Sequence, residues 1–318
     1  MRMVIGITVD LRNYEAYFKK FDKKYKCRAL EFHILERDLD KGFHTKIKKV
    51  KAFLQEKRIK YVSFHSPDRI LQSVLYKEKS EHLEDDRKKL MLMMESLKKL
   101  ADELKQEIIL VVHQGIKLPA ELIDSMTDEE LDGLRNLLLK KAKEGYDWMM
   151  SYTSGSKLLP MLENSPPSCT ADQKVHLIDL AFEDIEERIG RNGFVLDISH
   201  AAMCVEYYKQ NKVKFAALES IRREHHGVPY SLSSLENYIK KSERNISWIH
   251  VSNINGIMGE NEGLAIGIKD GLIDFKKLVS MIEAKVKNPV GVLEIVNSHK
   301  EYHLVDDSMK KLKEILIR

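Results

Sequence analysis

Histidines and carboxylates recur at one kind of position in this chain. His65 ends YVSFH, His113 ends ILVVH, Glu163 ends LLPMLE, Asp197 and His200 close FVLDISH, His250 sits in SWIHVSN and Glu294 in GVLEIVN. Each follows or closes a short apolar run. A lone histidine in such a place is more often structural than a ligand, and a lone glutamate there is commonly a helix cap. Four of the twelve histidines and three carboxylates sharing the position is another matter. Converging on one point, they would repel or suffer heavy desolvation unless a cation neutralised them. The pattern predicts a divalent metal held by nitrogen and oxygen ligands. Sulfur is not expected to take part, because Cys27, Cys169 and Cys204 form no CxxC pair and give neither a disulfide framework nor a thiolate zinc knuckle.

The runs that carry these residues are rich in β-branched side chains and read as strands: Val4 to Val9, Ala29 to Ile34, Tyr61 to Phe64, Ile108 to Val112, Leu158 to Leu162, Phe194 to Ile198, Ile246 to Val251 and Val290 to Ile295. Between them lie amphipathic segments. Leu90, Met93, Met94, Leu97, Ala101 and Leu104 form one helical stripe, and Ile178, Ala181, Phe182, Ile185 and Ile189 another. Capping-box spacings at Thr127 to Glu130, Thr170 to Gln173 and Ser233 to Glu236 mark helix starts. Such alternation implies βαβ units and a parallel sheet. Eight units predict a single (β/α)8 TIM barrel over 1–318, whose strand ends converge on one pocket. Two segments exceed a minimal barrel, at about 206–245 and 253–271. The second holds five of the fifteen glycines and follows the seventh strand, which makes it a lid candidate.

Composition narrows the function. Fifty-three basic residues stand against 49 acidic ones for a net charge of +4, and Lys and Glu mix along predicted helices, as in the KEKSEHLEDDRKK stretch. A nucleic-acid binder concentrates its basic residues in a stripe. No run approaches the roughly 18 apolar residues of a membrane span, and the start of the chain lacks a signal-peptide pattern, so a cytoplasmic protein is expected. Nothing in the sequence sets the oligomeric state.

On the residues quoted above, the chain resembles the xylose isomerase-like TIM barrels, which include sugar and sugar-phosphate isomerases and epimerases and, as a relative, endonuclease IV. The family pattern of Glu, Asp, His and Glu after strands five to eight matches Glu163, Asp197, His250 and Glu294. The resemblance implies that these four bind one Mn²⁺, Mg²⁺, Co²⁺ or Zn²⁺. The oxygen-rich set suits Mn²⁺ or Mg²⁺ by ligand softness. It further implies that His65 and His113 join Glu163 around a second zinc, as in endonuclease IV, and that His200 touches substrate, as in the epimerases. The chain departs from endonuclease IV where that enzyme has an Asp-x-His pair, reading Asn261-Glu262-Gly263, and Asn253 stands in the Asp place of the common HxxD. A third metal would lose two of three ligands.

The implied chemistry is proton transfer beside a carbonyl of a small sugar or sugar phosphate, with Glu163 and Glu294 as the flanking bases. The alternative is a two-metal phosphoesterase acting through His65, His113 and Glu163, with nucleic acid as the less favoured partner. A barrel serving only as a binding scaffold leaves the ligand pattern unexplained. The other histidines, His33, His44, His82, His176, His225, His226, His299 and His303, are expected on the surface or in loops.

Overall fold

The structure, a computed structural model, describes residues 3–76, 82–169, 174–190, 192–210, 216–257, 261–296 and 301–316. Eight parallel strands close into a barrel in chain order. They are β1 (Val4–Asp10), β2 (Ala29–His33), β3 (Tyr61–His65), β4 (Ile108–Val112), β5 (Leu158–Glu163), β6 (Phe194–Asp197), β7 (Ile246–Val251) and β8 (Val290–Leu293). The fold is the expected (β/α)8 barrel. His65 and Glu163 are themselves the last residues of their strands, while His113 and Glu294 lie one residue beyond theirs.

Side chains alternate across a strand, so one parity of each strand fills the interior. Along that parity the residues change from apolar to ionisable toward the carboxyl ends: Ala29, Glu31, His33 on β2; Tyr61, Ser63, His65 on β3; Met161, Glu163 on β5; Trp248, His250 on β7; Val292, Glu294 through β8. Ala29, Val111, Met161, Val195, Trp248, Val290 and Val292 pack together as the apolar floor. The interior is tight. A Cβ on Gly6 would lie 1.9 Å from the Ala29 carbonyl oxygen.

Helices jacket the barrel. Leu83–Leu104 buries Leu90, Met93, Met94, Leu97 and Ala101, as its stripe requires. The second stripe is helical only over Phe182–Ile189. Ile178 and Ala181 are buried in the preceding loop, where Asp179 takes φ +69° and so interrupts any helix. Thr127 and Glu130 form the expected capping box. In the third such pattern the cap is Ser234, which accepts from the Asn237 amide. Ser233 is displaced from that role because it closes a 3-10 turn over Tyr230–Ser233. Thr170 to Gln173 falls outside the described residues.

Both extra segments have definite jobs. Helix Ala216–Glu224 is tied to the long helix Asp128–Thr153 by Arg223 with Asp132 at 2.8 Å and by Glu224 with buried Arg135. The 253–271 segment is fastened by Asn253, which pairs its backbone with Leu264 and whose amide oxygen accepts from Ile254 and Ile273. Asn253 is therefore a structural clasp, facing away from any ligand role. A small antiparallel sheet of Lys117–Pro119, Lys174–His176 and Ser168–Cys169 brings Lys117 to the mouth of the barrel.

Candidate active site

The carboxyl ends of the strands enclose a cavity of about 420 Å³ lined by Glu163, Asp197, Glu294, His65, His113 and His200 among others. At its floor His250, fully buried, stands among carboxylates. Its Nδ1 lies 2.9 Å from Glu163 Oε1, 2.8 Å from Glu294 Oε2 and 3.8 Å from Asp197 Oδ2. Its Nε2 lies 3.0 Å from Glu31 Oε2. A neutral imidazole has one N–H. Donated to Glu31, it leaves a lone pair on Nδ1 facing carboxylate oxygens, an arrangement that is repulsive until a proton on Nδ1 or a bound cation relieves it. Glu163, Asp197, His250 and Glu294 each offer one ligand atom, all within 4.8 Å of one another. The donor set fits a hard or borderline divalent ion.

Local sequence explains how each group is held. Asp197 ends β6 and at once caps the helix Ile198–Gln210: its Oδ1 accepts from the His200 amide at 2.7 Å and from Ser199 Oγ at 2.7 Å. Its Oδ2 is left for the cavity. The side chain of Asn164, next to Glu163, donates to the Asp197 carbonyl and accepts from the Asp197 amide, extending the β5–β6 ladder by one rung. His200 Nδ1 donates to the Asn164 carbonyl at 2.8 Å, which frees Nε2 for the cavity, 3.5 Å from Glu262.

The electrostatics follow from burial and crowding. Burial alone would push the Glu163 and Glu294 carboxyls up, but His250 with His65, and His250 with His33, hold them well below the usual carboxylate range. Burial pushes Asp197 up; His200 opposes this, and the neighbouring Glu163 and Glu294 charges add to it. For the histidines burial disfavours charge, yet adjacent carboxylates raise His33 to about 10, and His65 and His200 to about 9. The pocket is a negative field that attracts cations.

His65 meets Glu163 Oε2 through Nε2 at 3.2 Å, but His113 does not join them. Its Nδ1 lies 3.5 Å from Asp68, and among the described residues His65, His113 and Glu163 form no group with ligand atoms within 4.8 Å. His65 groups instead with His33 and Glu294. His33 thus lies in the site, not on the surface or in a loop. His176 is also fully buried and donates from Nδ1 to the Pro166 carbonyl at 2.7 Å, and His225 approaches Asp184 at 3.5 Å. Glu31 was invisible in the sequence as a site residue. Its signal is a charged residue two places before His33 in an apolar strand, hence on the same inward face.

No protein-family model and no curated protein matches the chain. Solved structures do match in fold. A D-tagatose 3-epimerase-like protein is 17% identical with a TM-score of 0.56, over 98% of this chain and 99% of that one. A 3-keto-D-glucoside 4-epimerase from E. coli is 14% identical with a TM-score of 0.61, over 98% and 100%. A family 2 AP endonuclease from Brucella melitensis is 10% identical with a TM-score of 0.54, over 92% and 93%. The resemblance to xylose isomerase-like barrels holds at the level of fold. No described helix is long and apolar enough to cross a membrane.

Proposed function

We propose that this protein is a divalent-metal-dependent isomerase or epimerase of a ketose or ketose phosphate, moving a proton between carbons with Glu163 and Glu294. One observation carries the reading: each glutamate has one oxygen against His250 Nδ1 and its other oxygen turned away from it. Each carboxylate can therefore be anchored and still accept a proton. An ion held by Glu163, Asp197, His250 and Glu294 would supply Lewis acidity to polarise the substrate carbonyl. Glu163 takes the proton from the carbon beside that carbonyl, and Glu294 returns one to the product. Fixing both carboxylates before substrate arrives lowers the reorganisation needed. His200 Nε2, which faces the cavity beside Glu262, reaches a substrate hydroxyl. Two of the named structural neighbours are described as an epimerase and an epimerase-like protein, which agrees with this reading.

Lys117 supports an anionic group on the substrate. It lines the cavity, and among the described residues no carboxylate pairs with it, whereas Arg69 is held by Glu36 and Asp86. The phosphoesterase alternative draws on the contact between His65 and Glu163 and lacks His113 beside them.

The test is solvent exchange. Sugars and sugar phosphates incubated in ²H₂O with the metal-loaded protein should gain carbon-bound deuterium, and Glu163→Gln or Glu294→Gln should lower the rate at least a hundredfold, since an amide accepts no proton. Cleavage of a phosphate ester or an abasic-site duplex, with no exchange on any sugar, would replace the proposal by the hydrolase.

A further inference from the structure

The oxygens of Glu163 and Glu294 that turn away from His250 both meet a second pair of imidazoles. Glu163 Oε2 is 3.2 Å from His65 Nε2, and Glu294 Oε1 is 3.0 Å from His33 Nε2. His33 and His65 are in register on β2 and β3, with ring centroids 4.8 Å apart. With Glu294 they place three ligand atoms within 4.8 Å of one another. His65 donates from Nδ1 to the Ser66 carbonyl at 2.9 Å, which turns Nε2 onto the Glu163 oxygen. His33 Nε2 is buried between Glu294 Oε1 at 3.0 Å and Glu31 Oε1 at 3.6 Å. The geometry around His250 is thus repeated: imidazole nitrogens and carboxylate oxygens face each other at distances that a proton bridges and a divalent cation can take over.

We infer that His33, His65 and Glu294 form a second divalent-cation site that shares Glu294 with the first and inhibits when filled. Two imidazoles with a carboxylate suit Zn²⁺ and also accept Mn²⁺ or Co²⁺. The inhibition rests on the function proposed above. A second ion would engage the Glu294 oxygen that turns away from His250, so that Glu294 could no longer return a proton to the product. Exchange activity should rise with the first equivalent of metal and fall with the second. His113 has no part in this site.

Metal-free protein titrated with Mn²⁺ or Zn²⁺ should bind two equivalents by elemental analysis after equilibrium dialysis. The electron paramagnetic resonance signal of isolated Mn²⁺ should give way to a spin-coupled pattern as the second site fills, and deuterium exchange should drop at least tenfold over the same interval. His33→Ala and, as an independent variant, His65→Ala should each bind one equivalent and keep the isolated signal, while His113→Ala still binds two. A wild-type limit of one equivalent, two equivalents without coupling, or a second ion retained in both His33→Ala and His65→Ala would overturn the site. Undiminished exchange at two equivalents would overturn the inhibition. Two coupled ions with no exchange at any loading would retain the site and overturn the isomerase reading, so the two ideas fail separately.

Discussion

Replacing Glu31 by Gln tests how the centre is held from behind. Glu31 is fully buried, and its Oε2 accepts from Ser63 Oγ at 2.7 Å, His250 Nε2 at 3.0 Å and Trp248 Nε1 at 3.1 Å. Burial opposes its charge, but His250 and His33 outweigh burial and hold the carboxyl at about 2, so it is ionised. Gln keeps the shape and one acceptor oxygen while removing the charge. A hydrogen bond to a charged group contributes about 1.5–3 kcal/mol against about 0.5–1.5 for a neutral one. The His250 bond alone therefore weakens by about 1 kcal/mol, and His250 loses part of the basicity it shows the ion. Partners of this kind set metal affinity by about 10- to 100-fold, equivalent to about 1.4–2.7 kcal/mol. Chelator competition at constant pH should find Mn²⁺ binding weakened in that range, with the circular dichroism spectrum unchanged. A dissociation constant within twofold of wild type would show that Glu31 does not orient His250 and would refute the reasoning.

Lys117→Ala should raise KM for a phosphorylated substrate about tenfold and leave that for the neutral sugar within twofold; equal effects on both would remove Lys117 from substrate recognition. Arg135→Met should destabilise the fold by about 3–5 kcal/mol, read as a lower urea midpoint, because it removes the buried guanidinium that pairs with Asp184 at 2.5 Å and leaves that carboxylate to His225 at 3.5 Å; a change under 1 kcal/mol would contradict this. The Asp306 carboxyl is held well below its ordinary value by Lys24 and then Tyr25. A depressed pKa contributes stability that is present above about pH 4, the unfolded value, and lost as pH falls through the native one. Asp306→Asn should therefore be less stable than wild type at pH 7, with the gap closing in acid; a gap independent of pH would speak against the pair.

The strands were legible because period-two patterning and β-branched runs survive in one dimension, and their ends pointed to Glu163, Asp197, His250 and Glu294 as neighbours. What a sequence lacks is the angular position of each inward residue around a closed, staggered barrel. His65 and His113 both end apolar runs on adjacent strands, yet His65 turns to Glu163 and His113 to Asp68. His33 has the same inward parity, but Ile34 and Leu35 after it blur the strand end, and Glu31 sits mid-strand where a charge reads as noise. Asn253 occupies a familiar ligand position and is taken up by backbone groups of its own loop, which only the folded loop reveals.

The clasp between Asn164 and Asp197 ties two site residues into a yoke. Glu163 is bonded in sequence to Asn164, whose side chain grips Asp197 at both its amide and its carbonyl, while Asp197 is also anchored by the first turn of the helix it caps. The two strand ends are therefore held at a fixed separation, and the Asp197 carboxylate cannot retreat without unwinding that turn. The spacing of their backbones is set by the scaffold and not by the guest. Ions with contacts near 2.0–2.2 Å suit a frame that cannot widen, whereas Ca²⁺, at about 2.3–2.6 Å and with six to eight oxygens, asks for the give this frame lacks.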